Sequence, residues 1–126
     1  MAQTLALKQA GQIVLDLVET INANRAYLSE IDGLIGDGDH GINMSKGFTQ
    51  CGEALRAHPT LPGLAEGLDT LAMTLLEGIG GSMGPLYGSF FMGFAEALAG
   101  QQQMDAQCFG KALTQAVDGV QSVGNA

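Results

Sequence analysis

Positive charge is scarce in this chain. Its 126 residues hold 5 Lys and Arg against 13 Asp and Glu, a formal net charge of -8. Free nucleic acid or an anionic membrane surface would be repelled, so an anionic ligand needs metal ions or backbone N–H groups to bind. Long apolar runs are missing as well. None approaches the ~20 residues that span a bilayer, and the N-terminus lacks the basic-then-apolar order of a signal peptide, so a cytoplasmic protein is expected. The two cysteines, Cys51 and Cys108, match no metal-ligand spacing and read as buried free thiols of a reducing compartment. No β-type alternation occurs, which makes the expected class all-α. No Ser/His/Asp or Cys/His constellation can be placed either, so covalent catalysis is disfavoured.

What is present in quantity is apolar residues, 46% of the chain, enough for one globular domain with a real core. The chain is organised around Gly36-Asp37-Gly38-Asp39-His40-Gly41, with Asp32 just upstream. Asp32, Asp37 and Asp39 lie within eight positions with no Lys or Arg between them, and would repel one another in a folded loop unless a cation held them. They offer hard oxygen donors, the set suited to Mg²⁺, Ca²⁺ or Mn²⁺. The competing reading is a solvated turn, since Gly and Asp are the usual turn residues. Three common patterns are excluded. Gly36, Gly38 and Gly41 match G-x-G-x-x-G in letters, but acidic residues between them would repel a pyrophosphate and no strand precedes them. A P-loop needs a Lys where Ile42 stands, and an EF-hand needs a bidentate Glu where Phe48 stands.

Helical periodicity covers most of the chain. Ile13, Val14, Leu17, Val18 and Ile21 define a first helix over about 3–28, which leads into the aspartate loop. Met44, Phe48, Cys51 and Leu55 define a second over about 43–57, whose first turn would offer the N–H groups of Gly41 to Met44 to a phosphate. His58-Pro59-Thr60-Leu61-Pro62-Gly63 is a connector, and His58 reads as solvated. Leu64, Leu68, Leu71, Leu75 and Ile79 mark a third helix ending near Glu77.

A second informative stretch follows, Gly78-Ile79-Gly80-Gly81-Ser82-Met83-Gly84-Pro85-Leu86-Tyr87-Gly88. Its glycines would let the backbone approach a ligand, with Pro85 as the first residue of the next helix; tight helix–helix packing would select glycine equally. The fourth helix, about 85–99, carries Tyr87, Phe90, Phe91, Phe94 and Leu98, an aromatic stripe that reads as core rather than a cofactor box. A fifth, capped by Asp105, would turn Phe109, Leu113, Ala116, Val117 and Val120 inward. His40 could orient a phosphate or a ligand carboxylate, and nothing nearby in sequence supports it as a general base.

Together, Asp32-x4-Asp37-Gly38-Asp39-His40-Gly41-x-Asn43-Met44 and the later Gly80-Gly81-Ser82-Met83-Gly84-Pro85-Leu86-Tyr87-Gly88 resemble the DhaL family, the nucleotide-binding L subunits of dihydroxyacetone kinase. The similarity runs from about Tyr27 to the end of the chain. The resemblance implies an antiparallel helix barrel that binds ADP or ATP with two Mg²⁺ ions at one end. It implies Asp32, Asp37 and Asp39 as metal ligands, and His40, Gly41, Ile42, Asn43, Gly81, Ser82, Met83 and Gly124 as nucleotide-holding residues. It further implies phosphoryl transfer to dihydroxyacetone held on a partner K subunit, and rephosphorylation of the bound nucleotide by a phosphotransferase-system phosphocarrier, the M subunit. No catalytic residue beyond the metal ligands is assignable on this chain.

Three departures stand out. Met83 replaces the family's usual Ser, and Val123-Gly124-Asn125 its usual Arg-Gly-Lys. Residues 1–126 are read as a single nucleotide-binding helical domain shorter than the family at its C-terminal end, about five helices of a larger barrel. Such an open barrel would expose its apolar inner face, so the expectation is either that these are residues of a longer protein or that a partner, a second copy of the chain included, buries that face. The alternative function is a catalytically inactive nucleotide- or metal-sensing partner.

Overall fold

The computed structural model describes residues 3–36, 38–79 and 83–124. Among these, a short 3₁₀ helix, Leu7–Gln9, precedes six α-helices: α1 Gln12–Ala23, α2 Arg25–Asp32, α3 His40–Arg56, α4 Leu64–Gly78, α5 Met83–Leu98 and α6 Ala106–Gly124. Two residues at each of two places, β1 Leu5–Ala6 and β2 Gln103–Met104, pair antiparallel and tie the N-terminus to the α5–α6 connection. The fold is all-α, as expected. No described helix is long and apolar enough to cross a membrane.

One expected helix is two. The break falls at Asn24, whose side-chain amide donates to the Thr20 carbonyl at 2.8 Å, while its backbone leaves the helical region at φ -105°, ψ 11°. An Asn side chain competes locally for backbone hydrogen bonds and so ends helices that an apolar stripe alone would continue.

α1 and α2 both pack on α3, and α3 to α6 then pack as neighbours in chain order. Asn22 of α1 accepts the Ser45 hydroxyl of α3 at 2.6 Å, and Gly52 of α3 lies against Val18 of α1. Gly47 of α3 faces Leu75 of α4 and Ile79 just past its end, and Gly84 of α5 faces the carbonyls of the same two residues. Gly93 and Ser89 of α5 meet Ala116 and Gly119 of α6, with Leu86 against Gly124. The core runs through this row: Val14, Val18, Met44, Phe48, Cys51, Leu55, Leu68, Leu71, Leu75, Phe94 and Leu98 are all buried. At roughly 25 cal/mol per Å² of apolar area removed from water, these contacts supply the main driving force.

α6 corrects an expectation. Ala116 is buried, and so is Ala112, but Phe109, Leu113 and Val117 are 46%, 39% and 43% exposed, and Val120 is only partly buried. α6 approaches α5 along its small-residue face, because Gly93 and Gly119 permit backbone contact there, and this rotates the larger apolar residues outward.

Candidate functional site

The two motifs meet at one end of the bundle. α2 ends at Asp32, and one carboxylate oxygen, Oδ2, accepts the backbone N–H of Gly38 at 3.0 Å and of His40 at 3.3 Å. Asp32 therefore closes the acidic loop on itself and caps α3 from a distance, the service an N-cap side chain normally performs locally. Asp39, at the N-cap position, makes no side-chain cap bond. Its carbonyl accepts the Asn43 N–H at 2.9 Å. α3 consequently begins at His40, three residues earlier than expected, and His40, Gly41, Ile42 and Asn43 form its first turn.

This narrows the donors available to a ligand. The expected set, Gly41 to Met44, contracts to Gly41 and Ile42, because Asn43 and Met44 already have carbonyl partners one turn back. Gly41 is buried, and a Cβ there would overlap the Arg25 carbonyl and lie 2.7 Å from the Ser29 hydroxyl. That hydroxyl is buried with no hydrogen-bond partner among the described residues. α3 thus sits directly on α2, and glycine is what allows it.

The second motif arrives from α5. His40 and Tyr87 pack edge to face, ring centroids 6.2 Å apart and planes at 60°. Met83 opens α5, so Pro85 stands third rather than first in the helix, still within the turn where its missing N–H costs nothing. Met83 is partly buried against the core, which makes its thioether a wall of this end rather than a polar contact. At Gly84 a Cβ would lie 2.6 Å from the Leu75 carbonyl, and at Gly88 2.6 Å from the Leu76 side chain. Both glycines therefore serve helix–helix packing, one of the two readings the sequence left open for the stretch. Gly124 ends α6 at the same end of the bundle, 3.4 Å from the Leu86 side chain at the position a Cβ would take.

Asp37, Gly81 and Ser82 lie outside the described residues. Among the described residues no three potential ligands converge on one point. Asp32 and Asp39 bracket the loop, and both are carboxylates, hard oxygen donors. That chemistry fits a hard divalent ion such as Mg²⁺.

A cleft of about 910 Å³ lies elsewhere. It opens at the opposite end, where His58, Glu66, Asp69 and Glu96 are among its walls, and none of the motif residues lines it.

The structure is that of an all-α domain with an acidic loop, a helix N-terminus and the glycine-containing start of α5 at one end. The DAK2 domain profile matches residues 34–126, and the chain belongs to that family. It is similar to the ADP-binding subunit DhaL of the PTS-dependent dihydroxyacetone kinase of Lactococcus lactis, 46% identical over 78 residues, 62% of this chain and 40% of the relative. The ADP-binding subunit DhaL of the Escherichia coli PEP-dependent enzyme is 37% identical over 105 residues, 79% of this chain and 47% of the relative. Human triokinase/FMN cyclase is 29% identical over 121 residues, 96% of this chain and 21% of the relative. The chain spans about half the length of the bacterial relatives it matches.

Proposed function

We propose that this chain is the nucleotide-holding part of a dihydroxyacetone kinase. It would bind ADP or ATP with Mg²⁺ at the α3–α5 end and pass a phosphoryl group to dihydroxyacetone carried by a separate K subunit. A phosphocarrier M subunit would recharge the nucleotide. The supporting observation is the convergence of Asp32, the His40–Asn43 turn, Tyr87 and Gly124 at one end, in a chain of the same family as ADP-binding subunits.

Each residue has a physical task in this reading. Asp32 keeps the loop folded by accepting the Gly38 and His40 N–H groups. The carboxylates of Asp32, Asp37 and Asp39 would hold Mg²⁺, which supplies neutralisation of the phosphate charge that a chain with 5 cationic side chains cannot. The free N–H groups of Gly41 and Ile42 would receive a phosphate oxygen at the positive end of α3. Phosphoryl transfer is mostly positioning and charge neutralisation, so neither a nucleophile nor a general base on this chain is required.

Calorimetric titration with ADP, with and without Mg²⁺, tests the reading. Magnesium-dependent binding lost in Asp37→Asn and Asp39→Asn is the expected result, and tight binding indifferent to both substitutions removes the metal argument. Adding the K and M subunits and following phosphate on dihydroxyacetone then separates a working kinase component from an inert sensor, which would bind nucleotide and turn nothing over.

A further inference from the structure

We propose that Tyr87 is a positioning residue for the nucleotide site: its ring sets the plane of the His40 imidazole, and through it couples the acidic loop to the glycine-rich start of α5. The proposal rests on the nucleotide reading above and deepens it.

Tyr87 is not doing what the rest of its stripe does. Phe94 is buried, and Phe90 and Phe91 pack against the core in an edge-to-face chain, centroids 5.2 Å apart. Tyr87 is 39% exposed and stands outside that cluster. Its described ring contact is His40, on another helix, 47 positions earlier in the chain. Core packing therefore does not account for an aromatic residue at this position.

The contact is held from both sides. Tyr87 lies between Gly84 and Gly88, and both press α5 against α4 so closely that a methyl group would meet backbone or branched side-chain atoms. The azimuth of α5 is thereby set, and with it the direction in which position 87 projects. On the other side, His40 is the first residue of α3, its backbone N–H fixed on Asp32. An edge-to-face pair restrains the imidazole plane without consuming either ring nitrogen, because the attraction is between ring edge and ring face. The imidazole N–H is left to meet a ligand oxygen at the helix end where Gly41 and Ile42 offer their N–H groups. An imidazole oriented before binding loses less rotational freedom when a ligand arrives.

The test uses the intact chain with ADP and Mg²⁺ as the probe, in five forms: wild type, Tyr87→Leu, Tyr87→Phe, His40→Ala, and His40→Ala combined with Tyr87→Leu. Tyr87→Leu should weaken ADP binding about tenfold with little change in melting temperature, and Tyr87→Phe should restore most of the loss. In the His40→Ala background the Tyr87→Leu effect should disappear. In the free protein, the His40 ring C–H resonances should shift in Tyr87→Leu as the ring current is lost. Unaltered affinity in Tyr87→Leu, an effect undiminished by His40→Ala, or a loss that Phe fails to rescue would each overturn the proposal. Wild-type chain that binds no ADP, with the His40 ring-current shift intact, would sink the nucleotide reading instead.

Discussion

The carboxylate of Asp32, the last residue of α2, accepts the backbone N–H of His40, the first residue of α3, at 3.3 Å, and that of Gly38 at 3.0 Å. A single oxygen so placed ends the loop and starts the helix that carries the site. Asp32→Ala should lower stability by about 1–2 kcal/mol, the range for a lost cap or charge-assisted bond. Asp32→Asn keeps an acceptor oxygen and should cost clearly less. Urea unfolding of both variants decides it, and equal losses would show that the acceptor is not what matters.

Gly41 and Gly110 should respond to alanine with opposite signs. Both are helical, so alanine gains about 1 kcal/mol of intrinsic preference at each. At Gly41 the new methyl meets the Arg25 carbonyl and Ser29 hydroxyl, whereas at Gly110 nothing lies within 4 Å. Gly41→Ala should destabilise by about 1–3 kcal/mol as α3 is pushed off α2, and Gly110→Ala should stabilise by about 0.5–1 kcal/mol. Paired thermal melts read the sign directly.

Leucines on α4 and α6 should likewise differ. Leu71 is fully buried and Leu113 is 39% exposed. Leu71→Ala should cost about 3–5 kcal/mol through lost transfer energy and an unfilled cavity, and Leu113→Ala less than about 1 kcal/mol. Comparable losses in chemical denaturation would mean that the α6 stripe is covered in solution.

The two thiols should separate by rate of alkylation. Burial pushes the Cys51 thiol up from 9.0 to about 11, because the thiolate is denied solvent, whereas Cys108 is only partly buried. At pH 8 Cys108 should react first, with Cys51 slower by about tenfold or more until the protein unfolds. The sign for stability follows. Unfolded chain releases the Cys51 proton from about 9.0, so this group's contribution is complete below that pH and is lost as pH rises toward about 11. Mass spectrometry of each cysteine against time checks the order, and Cys51 reacting first would refute the burial.

Much of the fold was legible in residue spacing. Met44, Phe48, Cys51 and Leu55, and Leu64, Leu68, Leu71, Leu75 and Ile79, recur at helical steps and are all buried. Asp105 caps α6 as expected, its carboxylate accepting the Cys108 N–H at 2.8 Å. Less legible was the break at Asn24, where a side-chain amide competes with the backbone. The same holds for the early start of α3, since its capping carboxylate sits eight positions upstream.

For the site, sequence alone determined which residues could do chemistry: an acidic loop without cations, a glycine-rich helix start, and the pair of motifs that mark the family. Tertiary structure decided how they are used. Periodicity tells which residues share a helix face, but not how far a helix rotates on its neighbour, and that depends on where backbones can touch. Gly84 and Gly88 bring α5 against α4 and leave Tyr87 beside His40, while Gly93 and Gly119 bring α6 against α5 and turn Phe109, Leu113 and Val117 outward. The physical reason is one of range: local spacing governs each helix, and close contact between distant glycines governs the angles at which the helices present their side chains.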